Sequence, residues 1–297
     1  MLACLLCKIE FLRFRKVLQN LQGVHYLLIT WFGYRFVCNA FLAILVLSPL
    51  LGLVGTMVVH NRMSSFSDAL GHCTFTGAAV GAMFGFSNYR LSVLIFSTLF
   101  ALCISNVINF ERSSADTITG AFSSIGLSFG ILVLTLSGKT SKYSEFLIGD
   151  VLSVTSFDLI SLAGLFAFVL IFWIFFFNKF LISSINKDLA LSRQINVKFY
   201  KTAFIVILST IVSSAIKWVG ILIVNSLLTL PAASARNIAK SMKNYHLLTV
   251  FFSLCSGILG LVFSLSFETP TGATIVIVCA LIFLITLVVG KQQLNSG

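Results

Sequence analysis

An aspartate and a histidine stand four residues apart, at Asp68 and His72, just after a serine-rich segment. Residues four apart share one face of an α-helix, so a helix here would present a carboxylate and an imidazole side by side. These ligand types suit Zn²⁺ or Mn²⁺, and the imidazole favours zinc. The alternative is that Asp68 stabilises the start of its helix while His72 only hydrogen-bonds a neighbouring helix. The spacing indicates a metal site and leaves that alternative open.

The composition indicates that membrane helices position this pair. Hydrophobic residues make up 58% of the 297 residues and charged residues 10%, against about 25% charged in soluble domains. Apolar runs of about 20 residues, enough to cross a bilayer, recur without the alternation of barrel strands. Ionisable groups are costly in a membrane, which favours a functional site at the pair. The sequence predicts an all-α, polytopic integral membrane protein with about eight transmembrane helices, at residues 36–59, 68–86, 91–109, 117–137, 158–177, 202–230, 247–266 and 271–290.

Charge divides the chain into three parts. Residues 1–35 are a basic leader, predicted to be an interfacial helix, residues 36–290 are the transmembrane domain, and residues 291–297 are a C-terminal tail. The net charge is +11, and the basic residues between the apolar runs set the topology by the positive-inside rule. The expected surroundings are therefore lipid, and nucleic acid is not an expected partner.

The predicted topology contains one conflict. The loops 178–201 and 231–246 are both basic, which predicts that both are cytoplasmic. A single crossing by residues 202–230 would place them on opposite sides of the membrane. Lys217 near the middle of that stretch, and Gly220 after it, are compatible with a helix broken into two parts. The sequence leaves this point open.

No pattern predicts catalysis. Gly138-Lys139-Thr140 resembles the end of a phosphate-binding loop, but that motif needs a glycine where this chain has Val133. No nucleophilic side chain and base stand at a spacing typical of a catalytic pair either. The chain is not expected to be an enzyme or to hold a permanent cofactor.

Four motifs in order resemble the membrane permeases of bacterial ABC importers for zinc, manganese and iron. The resemblance covers about residues 38–290 and is greatest to zinc permeases of the ZnuB type. It departs at residues 121–124, Ala-Phe-Ser-Ser here, where some zinc permeases carry a histidine. The motifs are Arg-Met-Ser at 62–64 with Asp68-x-x-x-His72, Gly-Asp-Val-Leu-Ser-Val at 149–154 with Asp158, Val-Gly-Ile-Leu at 219–222 with Leu-Pro-Ala-Ala-Ser-Ala-Arg at 230–236, and Thr-Pro-Thr-Gly-Ala at 269–273.

The resemblance implies a permease of the type II ABC-importer kind in the bacterial inner membrane. Such a permease pairs with a second copy of itself, docks cytoplasmic ABC ATPase subunits that hydrolyse ATP, and takes metal from a periplasmic binding protein. By the same resemblance Asp68 and His72 line the path of the transported ion, Zn²⁺ or alternatively Mn²⁺ or iron. The segment after Pro231 corresponds to the coupling helix against the ATPase, with the candidate contact residues Pro231, Ala235, Arg236, Lys240 and Lys243.

Two other classes of function remain as alternatives. A secondary metal transporter would use an ion gradient and needs more acidic residues in the membrane, whereas this chain has only 9 Asp and Glu. A non-transporting membrane scaffold would be indifferent to loss of Asp68 and His72. The importer permease is the function that the sequence favours.

Overall fold

The computed structural model describes residues 34–84, 89–110, 115–138, 151–185 and 187–295. Over these ranges the chain is helical, with no strand. The predicted leader, apart from its last two residues, and the last two residues of the predicted tail lie outside them. The helices are α1 (Arg35–His60), α2 (Ser64–Met83), α3 (Tyr89–Phe110), α4 (Ala115–Leu136), α5 (Ser156–Ile185), α6 (Lys187–Ser192), α7 (Val197–Ile238), α8 (Met242–Phe267) and α9 (Thr271–Asn295), with a 3-10 turn at Val151–Ser153.

The all-α membrane architecture predicted from composition is confirmed. Seven of the described helices are long and apolar enough to cross a membrane: α1, α3, α4, α5, α7, α8 and α9. The remaining long helix, α2, is too polar to meet that criterion, because it carries Asp68, His72 and several hydroxyl residues. It packs against α3, α4 and α7 instead of relying on lipid contact. Its hydroxyl residues Ser67, Thr74 and Thr76 are therefore buried in the helix bundle, whereas the Asp68 side chain is exposed.

Two stretches predicted as loops are mostly helical. Within 178–201, α5 continues to Ile185 and α6 follows, and within 231–246 only residues 239–241 lie outside helices. Basic side chains alone do not end a helix, because their long stems reach past the apolar surface. Lys179, for example, stays helical and places its Nζ 6.0 Å from the centre of the Tyr200 ring. The loop boundaries were therefore wrong where they rested on charge.

Charge identifies the cytoplasmic end of the bundle. The His60 end of α1 is joined to the start of α2 by a turn that contains Arg62, whose φ of 54° is left-handed. The same end carries Lys201, which lines a cavity with Arg62, and Arg236, which contacts Val59. By the positive-inside rule this end faces the cytoplasm. The Arg35 end of α1, where the Asn39 amide donates to the Val154 carbonyl, is the opposite end.

Helix α7 reverses direction at Gly220, which resolves the topological conflict. Its 42 residues would extend about 63 Å if straight, twice the apolar thickness of a bilayer. Gly220 has φ 80° and ψ 166°, a conformation open almost only to glycine. We call residues 197–219 the first arm and residues 221–238 the second arm.

Both ends of α7 lie at the cytoplasmic end of the bundle. Val197 lines the same cavity as Asn61, and the Arg236 guanidinium donates to the Val59 carbonyl at 3.3 Å. Lys217, just before the reversal, instead bonds Asp158 at the opposite end. The two basic segments are therefore on the same side, as their charge predicts, and α7 enters and leaves the membrane from that side.

The second arm packs closely on α1. A Cβ added at Gly55 would lie 2.0 Å from the carbonyl oxygen of Leu228, so only glycine lets the two backbones approach this far. Helices α1 and α7 also supply much of the buried core, including Leu47, Leu50, Leu51, Leu208, Ile211 and Val212. The reversal is thus anchored in the centre of the molecule.

Candidate functional site

Asp68 and His72 lie on one face of α2, as their spacing predicts. His72 Nε2 is 3.7 Å from Asp68 Oδ2, and the side chains are 20% and 55% exposed, respectively. Two ligands that share one tetrahedral zinc ion at about 2.1 Å are about 3.4 Å apart. The pair is therefore spaced to hold one ion between these two atoms with little movement.

A third side chain, Asn225, reaches this pair from the second arm of α7. Asn225 Nδ2 donates to Asp68 Oδ1 at 2.7 Å. Gly71 makes the approach possible, because a Cβ there would lie 2.9 Å from Ile221 Cγ2 and 3.4 Å from Asn225 Nδ2. No spacing or motif predicts a role for Asn225; the signal that could have identified it is an amide inside an apolar run shortly after Gly220.

Two buried polar atoms at the site have no hydrogen-bond partner in the structure, His72 Nδ1 and Asn225 Oδ1. Buried polar atoms are usually paired, so such a pair of exceptions is typical of a site that takes up a ligand or solvent. No group of three or more His, Cys, Asp or Glu residues could hold a metal ion anywhere in the described ranges. An ion held by Asp68 and His72 would therefore take its further ligands from other groups, such as water or a second copy of the chain. The exposed side of Asp68 leaves room for them.

A second polar cluster lies at the non-cytoplasmic end of the bundle. Asp158 Oδ1 accepts from Lys217 Nζ at 3.2 Å and from Trp218 Nε1 at 3.1 Å, while Asp158 Oδ2 accepts from Thr155 Oγ1 at 2.6 Å. Thr155 and Asp158 also exchange bonds with each other's backbone N–H, which caps the start of α5. With both oxygens occupied, Asp158 ties α5 to the end of the first arm and is not arranged as a metal ligand.

The predicted coupling residues separate into two groups. Pro231 and Ala235 are buried in the second arm, so neither forms part of the surface of this chain. Arg236, Lys240 and Lys243 are exposed around the short break at 239–241. The segment predicted as a loop is thus a helix end, a turn and a helix start that present three cations.

Residues 33–290 match the ABC 3 transport family. The manganese import system permease protein ScaB of Streptococcus gordonii is 28% identical over 92% of this chain and 95% of its own length. The high-affinity zinc uptake system membrane protein ZnuB of Buchnera aphidicola is 29% identical over 85% of this chain and 97% of its own. A solved structure, PsaBC from Streptococcus pneumoniae in complex with Fab, superposes with a TM-score of 0.76 at 27% identity, covering 91% of this chain and 95% of that one.

Proposed function

Since the chain belongs to the ABC 3 transport family and is a metal-import permease subunit, we propose that its cargo is Zn²⁺, carried inward across the bacterial inner membrane. The observation that carries this proposal is the 3.7 Å separation of Asp68 Oδ2 and His72 Nε2 on one face of α2, which packs among the membrane helices. A carboxylate and an imidazole at this separation suit zinc, and the imidazole favours zinc over manganese.

Manganese and iron are the alternative cargoes. The relatives named for manganese and for zinc are 28% and 29% identical to this chain, so identity does not separate the two metals. An aspartate also suits Mn²⁺. The preference for zinc rests on His72 and is open to direct measurement.

The transported ion passes between two copies of the chain. Each copy contributes Asp68 and His72, and two copies would bring four ligands together, the number that zinc prefers. The 55% exposure of the Asp68 side chain supports this arrangement, because it turns the carboxylate out of its own subunit. The binding must stay weak enough for the ion to leave in each cycle.

The energy for transport comes from separate subunits. A cytoplasmic ABC ATPase docks on Arg236, Lys240 and Lys243, which are exposed at the cytoplasmic end. Pro231 and Ala235 act from within the second arm, by holding that surface in place. A periplasmic metal-binding protein delivers the ion at the opposite end. This chain hydrolyses no ATP itself.

The test is uptake of ⁶⁵Zn, ⁵⁴Mn and ⁵⁵Fe into vesicles that hold this chain with its ABC ATPase subunit and a periplasmic metal-binding protein. Wild type is compared with His72→Ala and with Thr135→Ala, a control whose exposed hydroxyl donates to the Ile131 carbonyl of its own helix. We expect ATP-dependent zinc uptake in wild type and control, and its loss in His72→Ala.

Other outcomes separate the alternatives. Manganese or iron uptake in place of zinc would change the cargo and keep the importer. Uptake without the ATPase would instead indicate a secondary transporter. If the assembled complex moved none of the three metals, the transport function would be refuted, and equal uptake by His72→Ala would exclude His72 from the path.

A further inference from the structure

The two oxygens of the Asp68 carboxylate are in different environments. Oδ1 accepts a 2.7 Å hydrogen bond from Asn225 Nδ2, while Oδ2 faces His72 Nε2 at 3.7 Å. A carboxylate whose one oxygen is engaged by a donor presents the other oxygen to a ligand. Asn225 therefore determines which oxygen of Asp68 points at the imidazole.

The position of Asn225 is set by its surroundings. Neighbouring Ile221 and Val224 are buried on the second arm, and the gap at Gly71 lets the arm lie against α2. The reverse orientation of the amide would place its oxygen against Asp68 Oδ1, two acceptors facing each other. Asn225 Oδ1 is buried without a partner, so the bond to Asp68 is the contact that orients the side chain.

We infer that Asn225 is a positioning residue that sets the metal preference of the site, an inference that rests on the proposed transport function. By engaging Oδ1, Asn225 disfavours binding of one ion through both oxygens of Asp68 and leaves Oδ2 as the better ligand. One carboxylate oxygen and one imidazole nitrogen from each copy match a four-coordinate zinc ion. Mn²⁺ favours more oxygen ligands in an octahedral arrangement, which a carboxylate with both oxygens available supplies better. Asn225 thus favours zinc by withholding one oxygen.

The direct test is Asn225→Leu, which removes the donor and keeps the number and branching of the side-chain heavy atoms. Ser226→Ala is the matched control, because Ser226 is the next residue on the same arm and, among the described residues, its hydroxyl bonds the Leu222 carbonyl of that arm. Apparent KM values for ⁶⁵Zn and ⁵⁴Mn uptake are measured for the whole complex, and equilibrium binding of each metal is measured on the complex in nanodiscs. We expect the KM ratio of zinc to manganese to rise on the order of tenfold in Asn225→Leu, the usual effect of losing a hydrogen bond to a charged group, and to be unchanged in Ser226→Ala.

One result of the Asn225→Leu experiment would contradict the inference. If the KM ratio stayed constant while both metals lost transport equally, Asn225 would have only a structural role and the inference would be wrong. Should Asn225→Leu fail to assemble, Asn225→Ala removes the donor without adding a charge or an oxygen ligand, and the same rise in the ratio is expected from it. Wild type that moved neither metal would refute the proposed function itself, independently of the Asn225 variants.

Discussion

The Asp68 carboxylate combines features that a structural acid in a membrane helix does not need. Its side chain is 55% exposed, although ionisable groups in membrane segments normally face protein or water. It accepts one hydrogen bond from Asn225 and lies near His72 without a bond of normal length. A capping role at the start of α2 would use the backbone N–H groups instead, and the structure gives Asp68 no such bond. These features favour the ion-binding interpretation over capping.

Replacing Asp68 by Asn should separate binding from folding. The amide keeps the shape and can still accept from Asn225, but it lacks the charge that attracts a divalent cation. We expect metal affinity to fall by more than the roughly 10- to 100-fold typical of changes next to a metal ligand. Because the side chain is half exposed, the free energy of unfolding should change by less than about 1 kcal/mol. Metal binding and thermal unfolding of the purified complex check both; wild-type affinity in Asp68→Asn would remove Asp68 from the site.

The reversal of α7 brings chemistry to the site that α2 alone does not contain. The second arm starts at Gly220 and carries Asn225 to Asp68, while the first arm ends in Lys217 and Trp218, which both bond Asp158 of α5. The turn is therefore held from two sides, by Asp158 before it and by α1 and α2 after it. The position of this turn therefore determines how closely Asn225 approaches Asp68.

Removing one partner of the Asp158–Lys217 ion pair should destabilise this turn. The two side chains are 14% and 25% exposed, so losing the ammonium in Lys217→Ala leaves a carboxylate largely shielded from water. We expect a loss of about 1–3 kcal/mol in unfolding free energy, below the 3–5 kcal/mol seen for fully buried pairs. Thermal unfolding of the complex measures it.

A control and a rescue sharpen that experiment. Thr98→Val is the control, because it removes a neutral hydrogen bond between α3 and the first arm, in which Thr98 Oγ1 and Ser209 Oγ are 3.1 Å apart. It should lower the unfolding free energy by less, about 1 kcal/mol. The double variant Asp158→Asn with Lys217→Ala removes both charges, keeps an amide oxygen as an acceptor at the start of α5, and should be more stable than Lys217→Ala alone. If the double variant were the least stable of the three, the ion pair would not be the reason for the loss.

At the scale of the molecule, the proposed ion site and the cytoplasmic surface are joined by one helical segment, the second arm of α7. The second arm carries Asn225 at one end and Arg236 at the other, and Arg236 is bonded to the end of α1 through the Val59 carbonyl. A movement of the cytoplasmic surface would be transmitted along this arm to Asp68. This continuity supports coupling of ATPase closure to the ion path.

Reversing charge on the cytoplasmic surface should uncouple transport from ATP hydrolysis. In Arg236→Glu with Lys240→Glu the docking surface changes sign, so we expect weaker co-purification of the ATPase and at least a roughly tenfold drop in ATP-dependent uptake. Metal binding should remain, because neither residue contacts Asp68, His72 or Asn225. Lys291→Glu, a charge reversal at an exposed residue of α9, is the control and should behave as wild type. Normal ATPase recovery in the double variant would place the contact elsewhere.

The sequence by itself determined the helical membrane class, most helix positions and the pairing of Asp68 with His72. These follow from hydropathy and from the 3.6-residue period of a single helix, which are local properties. Only the tertiary structure decided that α7 turns back at Gly220, that Lys217 pairs with Asp158, and that Asn225 bonds Asp68 from 157 positions away. Such contacts depend on the direction in which helices pack and on where glycines such as Gly71 and Gly55 let backbones meet. No spacing along the chain encodes them, because they join segments whose relative position is settled by packing of the whole bundle.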